Sequence, residues 1–206
     1  MTELTIPDLL TAAADFCIRE STHAGVELYG VTDGKAVGTF IEKKFQAYLE
    51  GHFLFEKGSA ARGIDLPDPH IRTDIKVTSA RQPQSSCPYR DSKQKIYGLG
   101  YNLLIFVYDK SDDVSTGKCT LNFVDCSFIE AARTADFTTT YRIREMLEDG
   151  AILDDVLGYL IDRNIPGDEM TLHQIAEAII EAPPVQGYLT ISNALQWRLQ
   201  YGRVLI

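Results

Sequence analysis

Three charged residues of the segment GIDLPDPHIRTDIKVTS have types and a spacing suited to catalysis: Asp65, Asp74 and Lys76. Side chains of an extended strand alternate between its two faces. In a TDIKVTS strand, Asp74 and Lys76 therefore share one face, while Ile75 and Val77 lie on the other and can enter a core. Asp65 stands between two apolar residues, so the same rule turns it away from the core. We expect all three charged groups to open onto one cleft.

The connection between the two aspartates is short and contains two prolines, at positions 67 and 69. A tight connection of this kind would lay the two segments side by side and bring Asp65 close to Asp74. Carboxylate oxygens are hard ligands that suit Mg²⁺. A bound cation activates water and neutralises charge on a phosphate, and a neighbouring amine such as Lys76 can orient or deprotonate that water. The chemistry that this predicts is magnesium-dependent hydrolysis of a phosphodiester.

Hydrophobic periodicity predicts the elements that position these groups. The first half of the chain reads as two helices followed by strands, and NLLIFVYDK is a continuous apolar run typical of a strand buried on both faces. The chain beyond Cys126 reads as mostly helical. The expected helices cover residues 6–19, 35–49, 92–99, 128–148, 152–163, 171–181 and 191–203, and the expected strands cover 52–56, 62–67, 73–79, 102–110 and 119–126.

The arrangement Asp65…Asp74-Ile75-Lys76 resembles the PD-(D/E)xK nuclease superfamily, which includes many type II restriction endonucleases. The resemblance covers residues 35–110, and its order of elements is similar: a helix with an acid, paired strands with the motif, a helix, then a buried strand. It implies that Asp65, Asp74 and the carbonyl of Ile75 bind metal and that Lys76 serves the attacking water. Glu42 occupies the position of a helix-borne catalytic glutamate. The residue before Asp65 is isoleucine, where the family name has proline.

A polar segment, residues 80–90, follows the TDIKVTS strand and is expected to be a loop that reads DNA. Arginine pairs with guanine and glutamine with adenine in the major groove, and lysines suit phosphates. The alternative is a solvated loop without a function. The residues expected to bind DNA are Arg81, Gln82, Gln84, Lys93 and Lys95.

The fold class that this pattern predicts is α/β, with a restriction-endonuclease-like mixed sheet flanked by helices and a helical C-terminal appendage. We expect a nuclease core over residues 1–149 and a helical region over 150–206. The two helices expected at 171–181 and 191–203 fit a helix-turn-helix, and their apolar side chains fit a dimerisation element equally well.

Composition limits the other possibilities. The chain of 206 residues has a formal net charge of −9, which disfavours nucleic acid, but basic residues outnumber acidic ones between residues 62 and 95. None of the 4 cysteines belongs to a C-x-x-C pair, so a zinc site is not expected. With no long apolar run and no basic leader, we expect a cytoplasmic protein.

The function expected from the sequence is therefore a Mg²⁺-dependent DNA endonuclease, of the type II restriction kind that the resemblance implies. Its partners would be double-stranded DNA, a second copy of the chain in a homodimer, and a DNA methyltransferase encoded nearby. The alternative is a non-catalytic DNA-binding or regulatory protein that uses the C-terminal helices.

Overall fold

Helices and strands follow one another along the chain in the order that the hydrophobic pattern predicts for most of its length. The computed structural model describes residues 1–58, 63–88, 90–192 and 196–204. The helices are α1 (Ile6–Ser21), α2 (Gly34–Glu50), α3 (Lys93–Tyr97), α4 (Phe137–Glu148), α5 (Leu153–Asp162) and α6 (Glu169–Glu181). The strands are β1 (Thr2–Glu3), β2 (Ala24–Gly25), β3 (Phe53–Leu54), β4 (Thr73–Ser79), β5 (Gln84–Pro88), β6 (Asn102–Asp113), β7 (Lys118–Ile129), β8 (Thr190–Ile191) and β9 (Gln196–Gln200).

The chain forms two units, and the first comprises Met1–Ser85 and Asn102–Phe128. Its sheet has the strand order β2-β7-β6-β4, in which β4 runs parallel to β6 and β2 runs antiparallel to β7. The apolar run of β6 is buried from Leu103 to Tyr108, as expected of a strand covered on both faces. The mixed sheet flanked by helices confirms the predicted α/β fold class.

Helix α2 lies against β4 and is held there by its apolar side chains. Asp33 begins the helix by accepting a hydrogen bond from the backbone N–H of Lys35. The buried residues of α2 recur every four positions, and one of them, Phe45, meets the Phe106 ring of β6 edge to face at 4.9 Å. The adjacent stripe of the helix, Gly38, Glu42 and Gln46, follows the same four-residue spacing, and Gly38 approaches Val77 of β4. Packing of the core face therefore directs this stripe toward the strand that carries Asp74.

The second unit comprises Ser86–Tyr101 and Ile129–Ile206. Helices α4, α5 and α6 enclose a separate apolar core, and β5, β9 and β8 form a three-stranded sheet in that order. Asp136 caps α4 through the N–H of Thr139 and also accepts the N–H of Ile191 at 2.8 Å. Lys95 donates to the carbonyl of Ile191 at 2.9 Å, so one buried acid and one buried base hold β8 in place.

The helix predicted over residues 191–203 is wrong, and with it the helix-turn-helix. Thr190 and Ile191 pair antiparallel with Gln200 and Leu199, so this part of the C-terminal region is a sheet. The segment RLQY carries the strand signal, since Leu199 and Tyr201 are buried while the residues between and before them are exposed. Residues 193–195 lie outside the described part of the chain. Helices α5 and α6 agree with prediction, and the division into residues 1–149 and 150–206 stays a prediction.

Two further segments differ from their predicted form. The expected loop over residues 80–90 is a turn followed by β5, because the hydroxyl of Thr78 accepts the backbone N–H of Gln84 and ends the turn there. The expected strand around Asp65 is reduced to one antiparallel bridge between Leu66 and Thr73. Among the helices of the described residues, none has the length and apolar composition to cross a membrane.

Candidate active site

The backbone of β4 sets the geometry of the site, because β4 is the edge strand of its sheet. One edge pairs with β6, and at the other edge Leu66 and Thr73 exchange N–H···O bonds of 2.9 and 3.0 Å in a single bridge. This bridge places Asp65 beside the strand. The Oδ2 atom of Asp65 accepts the backbone N–H of Ile75 at 2.8 Å. The structure therefore brings Asp65 and Asp74 together, as their prolines and spacing predict.

Lys76 lies one pleat beyond Asp74 on the same face of β4, and the two side chains form an ion pair. The distance from Nζ of Lys76 to Oδ2 of Asp74 is 2.6 Å, and the side chains are 22% and 7% exposed respectively. Asp74 is thus nearly enclosed, while Lys76 retains access to solvent. An amine in this position can act on a substrate that enters from the open side.

Two side chains of α2 reach the carboxyl group of Asp65. Glu42 is within hydrogen-bond distance of the carboxyl group of Asp65. Gln46, one helical turn later, donates from Nε2 to Oδ1 of Asp65 at 3.4 Å. Glu42 was predicted from the resemblance, but Gln46 was not among the predicted residues. The signal that could have found it is the four-residue spacing from Glu42, which places both on one face of a helix.

Burial raises the pKa of both aspartates. Burial is the main cause for Asp74; its pKa lies at about 7, because the neighbouring Asp65 adds to the rise and the ammonium of Lys76 only partly offsets it. The pKa of Asp65 is also raised, first by burial and further by Glu42, while hydrogen bonds from Asp74 and Ile75 lower it. Carboxylates this close cannot both ionise cheaply without a cation between them. Asp74 is the member of the pair that retains the proton.

The donor set fits a magnesium ion. Magnesium typically takes one or two protein carboxylates and keeps several waters, so two aspartates suffice. No group of three or more acidic, histidine or cysteine side chains within the described residues is arranged to hold a metal. The N–H and C=O of one strand residue point to the same edge. Because the Ile75 N–H points to Asp65, its carbonyl also faces the site.

The residues predicted to bind DNA fall into two groups. Arg81 and Gln82 are exposed in the turn after β4, and Gln84 is half-buried where that turn ends. Arg81 also borders an open cleft of about 340 Å³ with Ser79 at the end of β4. In the second unit, Lys93 is exposed.

Lys95 differs from the other predicted DNA-binding residues, because it lies in the interior of the second unit. Only 3% of it is exposed, and burial lowers its pKa, while the Asp136 carboxylate counteracts that effect. Its ammonium donates to the carbonyl of Ile191. This side chain holds β8 and offers no charge to a phosphate at the surface.

Comparison with known proteins gives two matches that span the chain. The profile of the family described as Type II restriction enzyme NspV matches residues 3–206. A protein of Nostoc sp. (strain ATCC 29411 / PCC 7524) named Type II restriction enzyme NspV is 54% identical over 205 residues, which cover 100% of this chain and 92% of the relative. No solved structure gives a significant match.

The raised pKa of Asp74 predicts a pH-dependent loss of stability in the metal-free protein. The folded state keeps a proton that the unfolded chain releases near pH 4, so this contribution weakens as pH rises from about 4 to about 7. Asp74→Asn removes the ionisable group. The free energy of unfolding is measured by urea denaturation in EDTA. Between pH 5 and pH 8 we expect it to fall by about 1–3 kcal/mol more in wild type than in Asp74→Asn, at about 1.4 kcal/mol per pKa unit.

The matched control is Asp15→Asn, which changes an exposed aspartate of α1. It should keep the wild-type pH dependence. Equal pH dependence in wild type and Asp74→Asn would contradict the raised pKa.

Proposed function

Because the chain belongs to the type II restriction enzyme NspV family, we propose that it cleaves DNA with Mg²⁺ at the site formed by Asp65, Asp74 and Lys76. Family membership makes the chain a restriction endonuclease, a hydrolase that acts on DNA phosphodiester bonds. This agrees with the predicted enzyme and disfavours the alternative of a non-catalytic regulator. The observation that supports the proposed site is the convergence of the buried carboxyl group of Asp74, the half-buried one of Asp65 and a lysine at the outer edge of β4.

Type II restriction enzymes generally use divalent metal ions. We assign the ion to Asp65, Asp74 and the carbonyl of Ile75, whose hard oxygens favour Mg²⁺. When bound, Mg²⁺ would supply positive charge that stabilises the phosphate in the transition state and would lower the pKa of a bound water molecule. Asp65 and Asp74 serve as anionic anchors, and their mutual repulsion makes the pair receptive to a dication.

Lys76 acts on the water and on the developing charge. Its ammonium lies 2.6 Å from Asp74, so it is held within reach of the groups that anchor the scissile phosphate. From there it can orient the attacking water and stabilise negative charge on the phosphate oxygens. Glu42, in contact with Asp65, supports that carboxylate from the side of α2.

The turn after β4 is the proposed DNA-reading element. Arg81 follows Lys76 by only five residues, so its side chain is tethered close to the scissile phosphate. Gln82 and Gln84 come next, and the fixed hydroxyl contacts of Thr78 define their backbone. Lys93 is proposed to contact phosphate, and the interior position of Lys95 removes it from the proposed surface.

The proposed assembly is a homodimer on a palindromic site. The chain of 23.0 kDa carries one copy of the motif, so two copies related by a two-fold axis would place one site on each strand. We further propose a cytoplasmic enzyme with a DNA methyltransferase encoded nearby, whose methylation would protect the host DNA from cleavage.

Cleavage of plasmid DNA tests the proposed function. The protein should linearise or fragment plasmid with Mg²⁺ and leave it intact in EDTA, because the transition-state charge is then uncompensated. Asp65→Ala and Asp74→Ala should cut at least ~10²-fold more slowly, on the scale of lost electrostatic stabilisation. Asp15→Ala, on the exposed face of α1, is the control. Cleavage by both site variants at the wild-type rate would refute the proposed site.

Lys76→Ala should reduce turnover more than DNA binding, because the ammonium acts on the reacting water and phosphate. We expect single-turnover cleavage to slow by at least ~10²-fold with an unchanged Kd for DNA in Ca²⁺. Lys43→Ala removes an exposed lysine beside Glu42 and should leave both quantities near wild type. A Lys76→Ala protein that cuts normally would show that this lysine is not catalytic.

Replacing the turn residues should change sequence choice. Arg81→Ala or Gln84→Ala should remove a base contact of about 1–3 kcal/mol and relax the preference at one base pair. Lys93→Ala should instead weaken binding to all sequences and flatten its salt dependence. A sequencing survey of cleavage sites compares the three variants. Unchanged preference in both Arg81→Ala and Gln84→Ala would locate DNA reading elsewhere.

A further inference from the structure

Gln46 contacts the active site from α2, and no catalytic step described above uses it. Its Nε2 atom donates to Oδ1 of Asp65 at 3.4 Å, while the backbone N–H of Ile75 donates to Oδ2 at 2.8 Å. The two oxygens of one carboxylate are therefore held by two separate elements, a helix and a strand. Such a pair of donors restricts rotation of the carboxylate plane, which the broad terminal torsion of an aspartate otherwise allows.

The chemistry of these donors leaves Asp65 able to bind a cation. Each carboxylate oxygen has two acceptor sites, so the amide of Gln46 on Oδ1 and the N–H of Ile75 on Oδ2 do not by themselves fill either oxygen. Both donors are neutral, and the charge of Asp65 is retained. Asp74 differs in this respect, because the ammonium of Lys76 is paired with one of its oxygens. Of the two aspartates, Asp65 is thus the one already oriented with its charge uncompensated by a protein cation.

Gln46 projects from a part of α2 that is packed against the core. It follows Phe45, which is fully buried against the ring of Phe106 in β6. It lies four residues after Glu42, so both side chains project from the same face of α2 toward Asp65. A donor on a packed helix controls a ligand more closely than one on a loop, and tolerances at metal sites are about 0.5 Å.

We infer that Gln46 is a positioning residue that orients Asp65 for Mg²⁺. The inference rests on the proposed function, in which Asp65 is a metal ligand. Partners that hydrogen-bond to metal ligands typically change metal affinity by about 10–100-fold when they are removed. Gln46 should therefore affect Mg²⁺ affinity and should have little effect on the chemical step once the ion is bound.

Calorimetric titration of the full chain with Mg²⁺, in the absence of DNA, measures this effect directly. Gln46→Met removes the donor while keeping length and charge, and we expect Mg²⁺ affinity to fall by about 10-fold. The control is the same substitution at Gln94, which donates to the carbonyl of Leu99 in the second unit. Gln94→Met should bind Mg²⁺ as wild type does. Gln46→Asn withdraws the amide by one methylene and provides the same test if the methionine variant does not fold.

Cleavage as a function of Mg²⁺ concentration provides a second readout that a purely structural role would not produce. In Gln46→Met, the Mg²⁺ concentration for half-maximal rate should rise by about 10-fold, while the rate at saturating Mg²⁺ returns to near wild type. Excess Mg²⁺ should not rescue Lys76→Ala.

The outcomes separate this inference from the function on which it rests. Mg²⁺ affinity of Gln46→Met within about two-fold of wild type, with binding lost in Asp65→Ala, would overturn the role of Gln46 and leave the proposed site standing. Unchanged Mg²⁺ affinity in both Gln46→Met and Asp65→Ala would overturn both.

Discussion

Close contact between two carboxyl groups, one buried and one half-buried, is the constraint around which the site is organised. Asp65 and Asp74 are in contact at a place where burial already raises the pKa of each. Neutral hydrogen-bond donors contact Asp65, and the ammonium of Lys76 contacts Asp74; both partly offset the cost of placing two carboxyl groups together. These partners compensate the pair incompletely, so it retains an affinity for a dication. In the proposed function, this incomplete compensation, which lowers the stability of the free protein, is the property that prepares the site for metal and phosphate.

The surrounding architecture follows from the need to hold that imbalance rigidly. An edge strand is required, because only a strand with one free edge can direct the N–H and carbonyl of Ile75 toward Asp65 while the other edge pairs with β6. A helix must cover the same region, and the core face of α2 directs Glu42 and Gln46 to it. The turn after β4 is fixed by Thr78, on the same face of the same strand. The residues proposed for catalysis and those proposed for DNA reading therefore share one short segment of backbone.

The central part of this arrangement could be predicted from the sequence because its signals are local. Alternation within TDIKVTS defines the faces of β4, and the short proline-containing connection predicts that Asp65 meets Asp74. The four-residue spacing places Gln46 on the face of α2 that carries Glu42, but which face borders β4 is a property of tertiary packing. The burial of Lys95 depends on tertiary packing as well. Its polar neighbours suggested an exposed side chain, but Asp136 and Ile191, distant in sequence, enclose it.

The C-terminal region shows how a helical composition can conceal a sheet. The sequence predicts a helix over residues 191–203, although Leu199 and Tyr201 alternate with exposed residues, as in a strand. One of the two strands beside β9 is β5, which lies far away in the chain, and no local pattern reveals that pairing. Long-range pairing determines whether such a segment forms a strand or a helix. The strands β8 and β9 are too short for periodicity alone to identify them.

A crystal structure of the protein with Mn²⁺, collected with anomalous scattering at the manganese edge, tests the central claim most directly. An anomalous peak should lie between Asp65 and Asp74, with ligand distances of about 2.1 Å to their carboxylates and to the carbonyl of Ile75. The Nζ atom of Lys76 should have left Oδ2 of Asp74. A peak bound by other residues, or no peak at saturating Mn²⁺ with Lys76 still paired to Asp74, would contradict the account.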